Sequence, residues 1–254
     1  MTIERPKVSV CMAAFQGERY VAAQLQSILV QLSANDEVIV VDDHSSDRTC
    51  DEVRSLGDGR IRLIERPRNQ GVAKSFEEAL SYATGSVIFL SDQDDLWARG
   101  KVPIVLRAFE SNPRVTLVVT DAALIDEDGN RLGNSYYAWR GQFSSGVLSN
   151  LVRCKFLGCT MAFRSELVPK VLPFPQKFAV LHDIWIGVVN SITSGGTLYI
   201  DEPLVCYRRH SRSFTAGRLG RIRQLHMRLH LLYTVVSYWI RDRLCHRVGA
   251  QNVH

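Results

Sequence analysis

Short, wholly apolar runs alternate along the first half of the chain with stretches whose apolar positions recur every three or four residues. Val8-Ser9-Val10-Cys11-Met12-Ala13-Ala14-Phe15, apolar but for Ser9, makes up the first run, and Gly17 marks the turn after it. Runs this short and apolar suit strands buried on both faces of a parallel sheet. Val21, Leu25, Ile28, Leu29 and Leu32 then fall at helical spacing until Asn35 and Asp36 break the pattern. A second strand is expected over residues 37–41, a helix through Val53 capped by Ser46 or Asp47, a third strand over 61–65, and a helix carrying Lys74, Phe76 and Leu80. The fourth run is Val87-Ile88-Phe89-Leu90. Strand and helix in alternation signal a parallel sheet with crossover helices, an α/β fold.

Beyond residue 98 the pattern is less regular. Residues 99–111 are expected to form a helix, 115–120 a strand and 126–130 a hairpin turn. Residues 134–150 read as a loop rich in aromatic and small residues (Tyr136, Tyr137, Trp139, Gly141, Gly146), suited to stacking on sugar rings or to packing beneath the loop. An apolar helix over 181–194 and two short strands over 197–200 and 203–207 complete the body. From residue 217, Ile222, Leu225, Leu229, Leu232, Val236 and Trp239 recur at three and four among many arginines. Such a basic amphipathic helix suits an anionic membrane surface, the body of the protein, or a second copy of the chain. The expected organisation is a first half (1–98), a second half of the same domain (99–217), and a C-terminal amphipathic helix (218–254).

A length of 254 residues allows one large α/β domain, and a net charge of +5 suits an anionic partner. Much of that charge lies in the tail, so it says little about a site in the body. The basic residues gather there and not on an aromatic-lined sheet face, which argues against nucleic acid. The six cysteines show no CxxC pair or zinc-type spacing, so reduced thiols in a cytoplasmic protein are expected. Residues 1–7 are polar, giving no expectation of a signal peptide. The apolar run over 231–240 is shorter than the ~20 residues of a spanning helix.

Chemistry concentrates after the fourth run, where Ser91-Asp92-Gln93-Asp94-Asp95-Leu96-Trp97 follows at once. Ligands of open α/β sheets bind outside the carboxyl ends of the strands, which places these carboxylates at the site. Like charges this close raise one another's pKa, and a divalent cation, Mg²⁺ or Mn²⁺, relieves them and can hold a diphosphate. The alternative is that Asp92 or Asp95 caps the next helix. Asp42 and Asp43 also end a strand; one suits an Asx-turn, and Asp43 is better placed for a base or ribose. Lys74 or Arg68 can meet phosphate near a helix N-terminus or be merely solvated. The Gly-x-Gly-x-x-Gly of dinucleotide-binding folds is missing, since residues 14–17 carry only Gly17.

Residues 8–17, Val41-Asp42-Asp43-x-Ser45-x-Asp47-x-Thr49, Asn69-x-Gly71 and the Asp92–Trp97 segment stand in an order that resembles family 2 glycosyltransferases of the GT-A fold. The Asp-Gln-Asp-Asp-Leu-Trp form is similar to the branch that includes many bacterial rhamnosyltransferases. The resemblance implies a Rossmann-like, mainly parallel sheet and inverting, metal-dependent transfer of a sugar, rhamnose in that branch, from a dTDP- or UDP-linked donor. The acceptor it implies is a glycan or lipid-linked hydroxyl in surface polysaccharide synthesis, with the enzyme cytoplasmic or peripheral on the inner face of the cell membrane. Donor-binding roles are implied for Ala13, Phe15, Asp43, Lys74, Asp92, Gln93 and Asp94, and metal ligation for Asp94 and His210, the latter in Tyr207-Arg208-Arg209-His210. Asp183, in Leu181-His182-Asp183-Ile184-Trp185, is implied as the base; without the resemblance it would read as a helix cap. The resemblance also implies that residues 1–98 are the nucleotide-sugar-binding half and 99–217 the acceptor-binding and catalytic half, that residues 156–164 form a strand beside the donor sugar and acceptor, and that Gly158, Cys159, His182, Trp185 and Arg208 lie on the acceptor or donor-sugar side. The sequence departs from the family pattern at residues 14–17, where Thr-Tyr-Asn-Gly is usual, and at His44, where glycine is common.

Two other classes share parts of this pattern. A nucleotidyltransferase would keep the acidic site but carry a basic, glycine-rich loop after the first strand, unlike residues 14–18. A non-catalytic sugar-nucleotide module would dispense with the base.

Overall fold

The computed structural model describes residues 5–152, 155–175, 182–193 and 195–209, with positions 232, 233, 236 and 237 of the tail. Four strands, β1 (Val8–Ala14), β2 (Glu37–Asp42), β3 (Ile61–Glu65) and β4 (Val87–Asp92), alternate with helices α1 (Val21–Leu29), α2 (Thr49–Ser55) and α3 (Val72–Tyr82). They pair in parallel in the order β3-β2-β1-β4, and the register sets Ala13 beside both Val41 and Asp92. β1, β2 and β4 are buried almost throughout because each is flanked on both sides and covered on both faces.

The sheet continues across residue 98. β5 (Leu96–Trp97), α4 (Lys101–Ser111), β6 (Val115–Ile125), β7 (Arg131–Ser135), α5 (Tyr136–Arg140), α6 (Val147–Val152), β8 (Met161–Arg164), α7 (Val168–Val171), α8 (His182–Ile192) and β9 (Gly196–Arg208) follow in turn. Among the described residues the nine-stranded sheet runs β3-β2-β1-β4-β8-β6-β9-β5, with β7 beside β6. β8 is antiparallel to β4 and β6, while β6 and β9 form a long parallel ladder.

Several expectations change. The strand expected over 156–164 begins only at Met161, because Gly158–Thr160 is a 3-10 turn. The two short strands before Arg208 are one, β9, which passes Asp201 and Glu202 by shifting register against β6 near Asp121. Neither Ser46 nor Asp47 caps α2, whose N-cap is Arg48; the Asp47 carboxylate instead accepts from Glu18 N and Thr49 N. The aromatic loop contains α5 and α6, and Tyr136 and Tyr137 pack inside it, leaving Trp139 52% exposed. His210 and the basic helix over 218–254 lie outside the described residues, apart from four tail positions.

Candidate active site

The acid loop after β4 is held from two sides. On α1 and just past its end, the polar side chains Gln24, Ser27 and Gln31 line up behind it. Gln24 Nε2 donates to Ser91 Oγ (2.8 Å) and Asp92 O (3.2 Å), Trp97 N donates to Ser27 Oγ (3.0 Å), and Gln31 Nε2 donates to Ala98 O (3.1 Å). From the other side Arg208, at the end of β9, donates its backbone N–H to Asp95 Oδ1 (2.9 Å) and its Nε to Asp94 O (2.7 Å). Its Nη1 reaches Asp126 O and Glu127 O, and its guanidinium lies 4.6 Å over the Tyr20 ring. Arg208, expected on the sugar side, is therefore spent on binding the acid loop to the β6–β7 turn.

Helix capping is not what the acids do, since the N-cap of α4 is Gly100. Asp95 is buried and its Oδ2 finds no hydrogen-bond partner among the described residues. One ligand atom each from Asp92, Asp95 and Cys159 lie within 4.8 Å of one another. Burial and the Asp94 charge push Asp95 up to about 7; burial and the charges of Asp95, Asp94 and Asp183 push Asp92 well above the carboxylate range. A crowded acid set with an orphaned oxygen fits a divalent ion.

On the nucleotide side, Phe15 is 44% exposed at the mouth of β1, its ring available to a base. Gln93 is turned toward it: the side-chain amide accepts from Phe15 N and donates to Phe15 O, both at 2.8 Å. Gln93 thus acts through Phe15, and it needs Gly17, where a Cβ would lie 2.1 Å from Gln93 Oε1. Asp42 makes the Asx-turn, accepting from Ser45 N and Ser45 Oγ. Asp43 is buried and accepts from Gln70 N (2.9 Å), Gly71 N (2.7 Å) and Arg66 Nη1 (3.2 Å), so it anchors the Asn69-x-Gly71 turn beside the site. Lys74 pairs with Glu77 at 2.5 Å and lines a groove with Arg66, Gln70 and Leu172.

Opposite stands the first turn of α8. Asp183 is 8% exposed, and the backbone N–H of Ile184 donates to its Oδ1 (2.7 Å). Burial outweighs the backbone N–H groups around it and pushes Asp183 up to about 6. Its charge is felt at Asp92, so the fold brings the two together from distant parts of the chain. His182 is stacked 4.0 Å from the Phe76 ring, and neither ring nitrogen has a hydrogen-bond partner among the described residues. Burial drives it down to about 3, leaving a neutral imidazole. Gly158 makes room for it, since a Cβ there would lie 2.8 Å from His182 Nε2. Trp185 is not brought into the cleft: its indole is buried and donates to Val171 O.

Residues 9–171 match the family described as Glycosyl transferase family 2. The chain belongs to that family. This glycosyltransferase is 35% identical over 225 residues to the UDP-Glc:alpha-D-GlcNAc-diphosphoundecaprenol beta-1,3-glucosyltransferase WfgD of Escherichia coli, covering 85% of this chain and 83% of WfgD. It is 29% identical over 223 residues to the putative teichuronic acid biosynthesis glycosyltransferase TuaG of Bacillus subtilis (strain 168), covering 86% and 85% of the two chains. Among solved structures it is similar to S. aureus TarS 1-349 in complex with UDP-GlcNAc, with a TM-score of 0.72 and 15% identity, covering 91% of this chain and 66% of that one. The mannosyltransferase PcManGT from Pyrobaculum calidifontis, in complex with GDP-Man and Mn²⁺, follows with a TM-score of 0.67 and 21% identity over 92% of this chain and 65% of that one. The chain thus spans about two thirds of each of these structures, and what it shares with them is the GT-A fold.

Sequence reasoning missed one charged residue of this glycosyltransferase's site, Lys101. It lies on the buried face of α4 with Val105 and Phe109, at spacings of four, and donates to Cys159 O. A lysine in an apolar stripe was the available signal.

Proposed function

We propose that this enzyme transfers a hexose, glucose first among candidates, from a UDP-linked donor to a hydroxyl of a lipid-linked glycan diphosphate, with inversion at the anomeric carbon. The observation that carries the reading is Asp183: one buried carboxylate, held at a raised pKa by burial and near enough to the acid loop for its charge to raise Asp92. The likeness to WfgD, named for UDP-Glc, a diphosphoundecaprenol acceptor and a beta linkage, supports the substrates and favours glucose over rhamnose. Such an acceptor would place the enzyme on the inner face of the cell membrane. No helix among the described residues is long and apolar enough to cross one.

Phe15 stacks on the base and Asp43, with its turn, borders it, while Gln93 keeps Phe15 in place. Asp92 and Asp94, with Asp95 beside them, would hold a divalent ion, which when bound supplies positive charge to the departing diphosphate. Asp183 accepts the acceptor's hydroxyl proton as the new O–C bond forms and the bond from the anomeric carbon to the diphosphate oxygen breaks. His182, neutral and with both nitrogens unpaired, receives a sugar hydroxyl.

The test is UDP release and product formation from UDP-glucose and GlcNAc-diphosphoundecaprenol with Mg²⁺ or Mn²⁺, alongside UDP-galactose, UDP-GlcNAc and dTDP-rhamnose. Glucose transfer that disappears in Asp183→Asn supports the reading; full activity in that variant removes Asp183 as base, and a preference for dTDP-rhamnose removes the donor assignment.

A further inference from the structure

β8 runs against both β4 and β6, and β9 runs with β6, so β4, β6 and β9 end at one edge of the sheet. Ligands of open α/β sheets bind outside the carboxyl ends of the strands. Asp92 ends β4 there, and Arg208 ends β9. The next residue, Arg209, donates its N–H to Ile125 O at the end of β6 (2.9 Å). Arg208 turns to the acid loop, whereas Arg209 lays its guanidinium 4.8 Å from the centre of the Trp139 ring. Arg140 stands 5.9 Å from the centre of the same ring.

Trp139 is 52% exposed, but it stands on a fixed frame. Ser135 caps α5 by accepting from Ala138 N, and Tyr137 N donates to the buried Asp121 carboxylate (3.1 Å). Lys155 Nζ donates to Gly141 O (2.9 Å), where the helix stops. Edge-on ring contacts run from Trp139 to Tyr136 and from Tyr136 to Tyr207 on β9. An exposed cation–π pair contributes only about 0.5–1 kcal/mol. Packing alone gives little reason to hold two guanidiniums on one half-exposed indole, because their like charges oppose each other. Arg140 Nε is buried without a hydrogen-bond partner, and neither arginine pairs with a carboxylate among the described residues. The patch is cationic, apolar at its centre and preformed.

We propose that Trp139, Arg140 and Arg209 form the subsite for the diphosphate of the acceptor, the two guanidiniums binding its phosphates and the indole lying along the apolar part beside them. This deepens the reading of the acceptor as a lipid-linked glycan diphosphate and rests on it. Guanidinium forks match phosphate oxygens in charge and geometry, and an indole offers rigid contact area at small entropic cost. The donor's diphosphate has its own partners at the acid loop, and Arg208, spent on that loop, is not shared between the two. A neutral glycan would use the indole and leave both charges idle. The arginines therefore select the diphosphate-linked form.

The acceptor for the test is GlcNAc-diphosphate on a short alkyl chain, soluble without lipid or detergent, beside an alkyl glycoside of GlcNAc that lacks the diphosphate. With UDP-glucose and Mn²⁺, Arg209→Gln and Trp139→Ala should each raise the KM for the diphosphate acceptor about tenfold, and Arg140→Gln about threefold, while kcat and UDP affinity stay within about threefold of wild type. Trp139→Phe should restore most of the loss in Trp139→Ala. The KM for the alkyl glycoside should be unmoved by the arginine substitutions. If Trp139→Ala does not fold, Arg209→Gln decides. An unchanged KM for the diphosphate acceptor overturns the proposal. So does an effect confined to GlcNAc-diphosphoundecaprenol in anionic vesicles, which would make the patch a membrane contact, or a matching loss of UDP affinity, which would give Arg209 to the donor. Calorimetric binding of the short-chain acceptor in the presence of UDP keeps the two readings apart. Wild type that binds it but transfers no glucose fails the functional reading alone, equal binding by wild type and Arg209→Gln fails this inference alone, and no binding by wild type overturns both.

Discussion

After β1 and β4 the side chains arrive with most of their hydrogen bonds made, Asp95 Oδ2 apart, whereas His182 at the start of α8 has none among the described residues. Asp43 receives three donors, Gln93 is paired with both backbone groups of Phe15, and the acid loop is tied down by Gln24, Ser27, Gln31 and Arg208. In the first turn of α8, His182 keeps both nitrogens unpaired among the described residues, and burial raises Asp183 to about 6. A preformed platform lowers the ordering cost of binding. Unpaired buried polar groups cost stability until a substrate satisfies them. The nucleotide end thus behaves as scaffold, and the α8 end as the part completed by substrate.

The comparison breaks most visibly at Asp183. Asp183→Asn should lower kcat/KM by about 10³-fold or more, with UDP affinity within about threefold of wild type. Because the base works ionised, and burial sets Asp183 at about 6, kcat of the wild type should drop below that pH, about tenfold per unit, in assays from pH 5 to 8. A flat profile would mean that the α8 end does not hold the base.

His182 tests the stability side. His182→Leu removes two unpaired buried nitrogens and should raise stability by about 1–3 kcal/mol at pH 7 in urea titration, while lowering kcat/KM at least about tenfold. Its folded pKa of about 3 lies below the ordinary 6.5, so on acidification the unfolded chain takes the proton first. Wild-type stability relative to the variant should then fall as pH drops from 6.5 toward 3, by ~2 kcal/mol at pH 5. Asp183 and Asp95, raised by burial, pull the opposite way in both proteins, and the difference between variants cancels them. An equal stability difference at pH 7 and 5 would show that His182 is not buried neutral.

Gln93→Ala probes the platform. Losing the two bonds to the Phe15 backbone should weaken UDP about tenfold, ~1.4 kcal/mol, with kcat at saturation changed less than about threefold. A loss in kcat with UDP affinity intact would place Gln93 at the chemistry and not under the base.

The parallel half of the fold was legible because its strands are continuous apolar runs and its helices carry a regular stripe. The second half was less so, for local reasons. Gly158 bends into a 3-10 turn inside a run that looks extended, and β9 passes Asp201, Glu202 and Pro203, residues that ordinarily break a strand, by slipping register. The acid loop announced itself by crowding of like charge at a strand end. The partnership of Asp92 with Asp183 did not, since nothing local connects residues so far apart, and only the family resemblance joined them. Gln93, Trp185 and Arg208 were read as ligand contacts because a motif gives residue identity without direction; their side chains turn to Phe15, Val171 O, and Asp94 O with the β6–β7 turn.

The smallest effect is expected where the sequence departs from the family pattern, at His44. Its φ of 69 lies in the left-handed region, which explains why glycine is usual there. A histidine in that conformation is strained by about 1–2 kcal/mol, and glycine recovers part of this against its greater freedom when unfolded. His44→Gly should therefore stabilise the protein by about 0.5–1 kcal/mol in urea titration, with UDP affinity unchanged. His44 is exposed between Asp43 and Ser45, whose N–H bonds Asp42, so the turn persists without its imidazole. If instead UDP binding weakens more than about fivefold while stability rises, then His44 reaches the nucleotide and its strain is held in reserve for binding. The nucleotide end would then share the habit of the α8 end, and the contrast between them would fail at this one residue.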